Sequence, residues 1–257
     1  MARAALWLFG GLIALFLVAP ILVVMVTSLG SSSFMAFPPR DVSLHWYAHF
    51  LGSPQWIGPT LLSLRLAASV AVSATLLGTS AAIGLARGSF RGRAALEMFL
   101  LSPMVVPVVV LALGLYFLFS GAHLLDHPLA LWLGHTLLAT PVALVLVRAG
   151  LRSTDRSLER AARSLGAGFW RTLRHVTLPA IRESVAAAAV FSFLVSFDEV
   201  VVAIFVGGPA TTTLPKRMWE SVRFETDPTL LAIATLLTLL AVAVLLLGAW
   251  LRPGRQT

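Results

Sequence analysis

The chain has 257 residues, of which 58% are hydrophobic and 12% charged, with a mean hydropathy of +0.90. A soluble domain carries about 25% charged residues, so at half that share too little polar surface remains for a water-soluble globule. Soluble enzyme, nucleic-acid binder and disordered tail are excluded on that ground. The lack of cysteine removes disulfides, zinc thiolate sites and cysteine nucleophiles.

The charges are clustered. Residues 4–39, 66–86, 98–125, 127–147 and 228–251 carry none, and 184–215 carry only Asp198 and Glu199. About 20 apolar residues of helix cross the hydrocarbon layer, so six spanning helices are predicted, near 5–29, 59–86, 95–119, 128–148, 181–206 and 227–250. The apolar runs are continuous rather than alternating, which favours helices over barrel strands. The first run is also too long for a signal-peptide core of about 7–15 residues.

Between the first two spans lies a Ser-, Pro- and aromatic-rich segment whose second half, Leu44–Leu51, suits a short helix at headgroup level. His45 and His49 share a helix face there, but with no third ligand they read as polar-face residues. In the second span Gly78 and Gly84 suit close helix approach. In the third, Pro103, Pro107 and Gly114 are kink or packing positions, as is Pro141 in the fourth.

Arginine and lysine set the orientation. With both termini inside, inner segments hold 14 of the 19 basic residues, including Arg3, Arg87, Arg91, Arg93, Arg148, Arg152, Arg252 and Arg255. Arg40, Lys216, Arg217 and Arg223 fall outside. The termini are therefore expected to be cytoplasmic. The net charge of +8 faces anionic lipid, not nucleic acid.

The inner segment from about 149 to 180 is long. Thr154 or Asp155 can cap a helix start. Leu158, Ala161, Ala162 and Leu165 form one apolar stripe, and Gly166 and Gly168 stop the helix. Phe169, Leu173 and Val176 form a second stripe, expected to end before Pro179. Two short amphipathic helices about a glycine turn result. Such a hairpin either lies on the bilayer or docks a cytoplasmic partner.

This loop resembles the Glu-Ala-Ala coupling loop of permease subunits of binding-protein-dependent ABC importers. Ala161–Ala162, Gly166, then Val176 and Leu178–Pro179 keep that family's spacing, while Arg160, preceded by Glu159, stands at its Glu position. The stretch from Ser196-Phe-Asp198-Glu199 through Gly208–Pro209, Thr213-Leu214-Pro215 and Asp227–Pro228 resembles the spermidine/putrescine class, the smaller of its two membrane subunits. Leu44 with Trp46–Tyr47, Ser102–Pro103 with Pro107, and His135 with Pro141 support this. Val108, Leu231 and Pro59 depart from residues common in that class.

The resemblance implies a type I ABC importer permease fold over residues 1–257 as a single transmembrane domain, multi-pass in a bacterial inner membrane. It implies a sister permease subunit, an ATPase subunit dimer that binds ATP and magnesium, and a periplasmic or extracellular solute-binding protein. The coupling residues would be Glu159, Arg160, Ala161, Ala162, Leu165, Gly166, Phe169, Leu173, Leu178 and Pro179. The chain itself would be non-catalytic and hold no cofactor or metal. The cargo would be a polyamine or a similar small organic cation.

The residues add two points of their own. The single lysine, Lys216, follows Leu214–Pro215, so the Gly-Lys-Ser/Thr phosphate loop is missing and, if transport is ATP-driven, another polypeptide must hydrolyse the nucleotide. Asp198 and Glu199 sit inside an apolar span, with Asp198 expected about 12 Å below its outer end. Intramembrane charges usually face a water-filled path or a partner helix, so Ser196, Asp198 and Glu199 are the substrate-path candidates. The alternative is a shifted helix that leaves both carboxylates near the surface or beside Arg65. Rival functions are the same machinery for an amino acid or phosphonate, an ion-coupled carrier, and an intramembrane hydrolase. No internal inverted repeat supports the second, and no second catalytic segment supports the third.

Overall fold

The computed structural model describes residues 2–224 and 227–250; Arg252 and Arg255 lie outside them. Thirteen α-helices follow one another: α1 (Ala2–Thr27), α2 (His45–Gly52), α3 (Pro54–Arg87), α4 (Arg93–Val105), α5 (Val108–Gly121), α6 (Pro128–Ser153), α7 (Arg156–Ser164), α8 (Phe169–Thr172), α9 (Leu178–Ala180), α10 (Arg182–Phe197), α11 (Val201–Val206), α12 (Leu214–Phe224) and α13 (Thr229–Trp250). A π-helical turn, Leu173–Thr177, joins α8 to α9, and a 3-10 turn, Pro209–Thr211, follows α11. By contact they form two compact units. One holds α1, α2 and α13; the other is residues 59–217; α3 and α12 contribute to both.

In the first unit α13 packs against α1 and α2. His49 Nδ1 lies 2.9 Å from the Thr229 hydroxyl, so this histidine has a structural partner. The Trp56 indole donates to Asp227 at 3.3 Å, and Tyr47 shares a 2.6 Å hydrogen bond with Ser28. Most side chains of the apolar stretch Leu6–Thr27 of α1 are exposed, and none of its 18-residue core is buried.

In the second unit α6 is the central helix. It packs along α10 and also meets α4, α5 and α11. Small residues let it do so. A Cβ on Gly78 would sit 2.6 Å from Ala143 Cβ, and one on Gly134 would sit 2.8 Å from Val202 Cγ1; both glycines are therefore fixed by close approach. Gly84 and Gly114 have no such neighbour, so the close approach expected of Gly84 is not found.

Among the described residues, three helices are long and apolar enough to cross a membrane unbroken: Leu6–Thr27 of α1, α3 and α6. Two further helix pairs among the described residues pass the same test only when each is joined across a bend; in the second, only Arg182–Phe197 falls in a span expected from the sequence. α4 and α5 meet at 104°, because Pro107 supplies no N–H and holds Val106 extended (ψ 132°). Phe169–Ala180 and Arg182–Phe197 meet at 72° around Ile181. The span expected over 181–206 also stops at Phe197 and restarts as α11. Pro179 does not end the second loop helix as expected. It sits in the first turn of α9, where a missing N–H costs nothing.

Candidate functional site

The loop between α6 and α10 is built locally. Of the two caps considered, Asp155 begins α7: its carboxylate accepts from the Ser157 N–H at 2.8 Å. The Ser157 hydroxyl, then that N–H, hold the Asp155 carboxyl below its ordinary range. α7 ends in a Schellman turn, with Gly166 N–H donating to Arg163 O (3.0 Å) and Ala167 N–H to Ala162 O (3.0 Å). Gly166 has φ +85°, where a side chain is strained.

The faces of α7 are the reverse of a core-packing helix. Glu159 is its buried residue, 6% exposed, whereas Leu158 is 55% and Leu165 89% exposed. Two Arg87 nitrogens donate to Glu159 Oε1, at 2.9 and 3.3 Å, and the Thr177 hydroxyl donates to the same oxygen at 3.0 Å. One carboxylate thus ties α7 to the end of α3 and to the π turn. Arg160 and Ala161 are exposed beside it. Phe169, Trp170, Leu178 and Pro179 are also exposed, and Ala162 and Leu173 half-covered. The loop therefore presents an apolar surface rimmed by arginine.

The three path candidates lie together at the interruption between α10 and α11, with separate tasks. Ser196 is buried, and its hydroxyl lies 3.0 Å from His135 Nδ1 on α6. The same nitrogen is 3.1 Å from Ser196 O, so His135 ties α6 to the end of α10. Glu199 accepts from the Val201 and Val202 N–H groups at 2.7 and 2.9 Å, which starts α11 afresh. Asp198, which caps the C-terminus of α10, is exposed. The expected site inside a continuous helix is thus an exposed carboxylate at a helix break.

Asp126 was not singled out by the sequence, although it is the lone charge between two charge-free runs. From the α5–α6 loop it accepts from Gly208 N–H (2.9 Å), Ala210 N–H (3.1 Å), Thr211 N–H (2.9 Å) and the Thr211 hydroxyl (2.7 Å). Its own N–H donates to Val206 O at 3.0 Å. It clasps the loop that follows the broken span.

Residues 74–257 match the family described as binding-protein-dependent transport system inner membrane component. The chain belongs to this family. It is a membrane permease subunit of an ABC importer and a multi-pass protein of the inner membrane. The permease is 36% identical over 247 residues to the putrescine transport system permease protein PotI of Escherichia coli K12, covering 93% of this chain and 87% of that one. It is 32% identical over 234 residues to the spermidine/putrescine transport system permease protein PotC of the same organism, covering 90% and 87%. Its fold matches a chain of a bacterial ABC transporter involved in the import of the acidic polysaccharide alginate. The TM-score is 0.76 at 15% identity, over 96% of the permease and 95% of that chain.

Proposed function

We propose that the permease forms half of a translocation path for putrescine, spermidine or a similar small organic cation. In this reading α13 is a sixth span, and both termini and the α7–α9 loop face the cytoplasm, as the arginine distribution suggests. A sister permease subunit completes the path, and a solute-binding protein delivers the cargo from the far side. An ATPase dimer, which binds ATP and magnesium, grips the loop through Leu158, Ala161, Leu165 and Phe169. The permease itself is non-catalytic, consistent with its single lysine lying outside any phosphate-loop pattern.

The observation that carries this reading is the orientation of α7. A loop lying idle in water gains nothing by burying Glu159 and exposing Leu165; a surface awaiting a partner's groove does. The identity to the two polyamine permeases supports the cargo. Asp198, exposed at the helix break, supplies a carboxylate for a passing ammonium group. Nucleotide binding and cargo delivery would bias the same pair of inward- and outward-open states.

The test is ATP-driven uptake of labelled putrescine by the reconstituted importer. Leu165→Asp should leave insertion intact but lower both ATPase association and uptake. Normal uptake by that variant, or uptake driven by an ion gradient without ATP, would remove the coupling role.

A further inference from the structure

Two adjoining clefts open where α3 and α6 end and α4 and α7 begin. One, of about 230 Å³, is lined by Arg87, Arg156, Glu159, Arg160 and Arg163. The other, of about 370 Å³, is lined by Arg87, Arg93, Arg148, Arg152 and Arg156 among others. Arg87 and Arg156 belong to both. Together they gather seven arginines, against the two carboxylates paired with them: Glu159 with Arg87 and Glu97 with Arg148. The Asp155 carboxylate at the start of α7 also feels Arg160, so seven against three leaves a surplus of four positive charges.

Repulsion among them needs an anion to offset it. Four of the seven, Arg87, Arg93, Arg148 and Arg152, sit at the ends of membrane helices at the base of the loop, and Arg156, Arg160 and Arg163 follow along α7. About one and two turns along α4 from Arg93, Leu96 and Phe99 are exposed. An apolar surface thus leads away from the basic cleft along α4.

We propose that these clefts seat the phosphodiester headgroup of an anionic glycerophospholipid of the cytoplasmic leaflet, with an acyl chain laid along Leu96 and Phe99. A soluble phosphate would share the arginines but would have no use for that apolar track. The bound headgroup would brace the root of the loop against the bilayer, fixing the point from which it swings. This rests on the cytoplasmic placement of the loop proposed above.

The test is a native mass-spectrometric titration of the complete importer, in neutral detergent, with phosphatidylglycerol, phosphatidylcholine or glycerol phosphate. Phosphatidylglycerol should bind in preference to phosphatidylcholine. Each arginine near an anionic lipid contributes about fivefold in affinity, so Arg93→Gln with Arg152→Gln should weaken binding by roughly 25-fold. Arg93→Lys, which keeps the charge, should retain most of it. Arg91→Gln, close in sequence but lining neither cleft, should change it by less than about twofold. Assembly is read in the same spectra.

Equal loss in Arg91→Gln would mean diffuse attraction, and displacement by glycerol phosphate at equal concentration would mean a soluble-anion site; either overturns the proposal, as does no preference for phosphatidylglycerol. The titration needs neither ATP nor orientation, so its failure is separate from failure of the coupling reading.

Discussion

Arg87 and Glu159 stand 72 positions apart in the chain and 2.9 Å apart in space, with both side chains largely covered. Their contact holds the amphipathic loop to the end of α3, and the Thr177 hydroxyl on the same carboxylate oxygen closes the loop onto itself. Removing one partner of a buried pair costs about 3–5 kcal/mol, while replacing both with apolar residues is often neutral. Glu159→Ala should therefore speed amide exchange over 156–177 markedly, and Arg87→Met with Glu159→Leu should restore much of the protection. Hydrogen exchange on the purified importer checks this; additive losses in the double variant would show that the pair is not a unit.

Gly166 turns the loop in the left-handed region. An alanine there should cost about 1–2 kcal/mol, and asparagine less, because it tolerates that conformation. Gly166→Arg adds bulk at the exposed tip and should uncouple ATP hydrolysis from uptake while the protein still inserts. Parallel assays of hydrolysis and uptake decide it, with normal transport by a correctly inserted Gly166→Arg importer counting against the loop's role.

Asp126 gives a pH dependence with a defined sign. The Thr211 hydroxyl first, then the N–H groups of Ala210, Gly208 and Thr211, hold its carboxyl below the ordinary range. A group depressed in the folded state stabilises it above the unfolded pKa, about 3.9, and loses that contribution as pH falls through the lower folded value. The clasp is therefore intact at neutral pH and weakens only below about pH 4. Asp126→Asn should expose the Gly208, Ala210 and Thr211 amides to exchange at neutral pH. Unchanged protection there would show that the backbone turn holds without the carboxylate.

Asp198 and Glu199 should separate cleanly. Asp198→Asn should lower putrescine uptake by up to about fivefold, the worth of an exposed ion pair, without changing subunit assembly. Glu199→Gln should act on structure instead, loosening the start of α11, since the side chain accepts two backbone N–H groups there. Uptake kinetics and exchange at Val201 and Val202 distinguish them; full uptake in Asp198→Asn would take that carboxylate out of the mechanism.

Much of the helical layout was legible because a charge-free run of membrane length leaves few alternatives, and Asp155, Gly166 and the two loop stripes carry local signals for cap, turn and face. What anchors the loop was not. The stripe from Leu158 to Leu165 is largely exposed, as a surface for lipid or a partner should be, but the burial of Glu159 was hidden, because its partner Arg87 lies in a distant segment. The break after Phe197 was hidden for a similar reason: Phe197 before it and Val200–Val202 after it continue the apolar run, and only Glu199's backbone bonds reveal it. Pro107 marked the bend of the third span but not its size. Asp126 showed only as an isolated charge, since its partners lie more than eighty residues downstream.

The contact between Gly78 and Ala143 has a mechanical outcome. With a would-be Cβ only 2.6 Å from its neighbour, α3 and α6 touch backbone to side chain, leaving no compliant cushion between them. α3 carries Arg87, and α6 runs directly into the loop. A tug on the loop would therefore reach both rods together and shift them in concert, with little of the stroke lost as slippage between them.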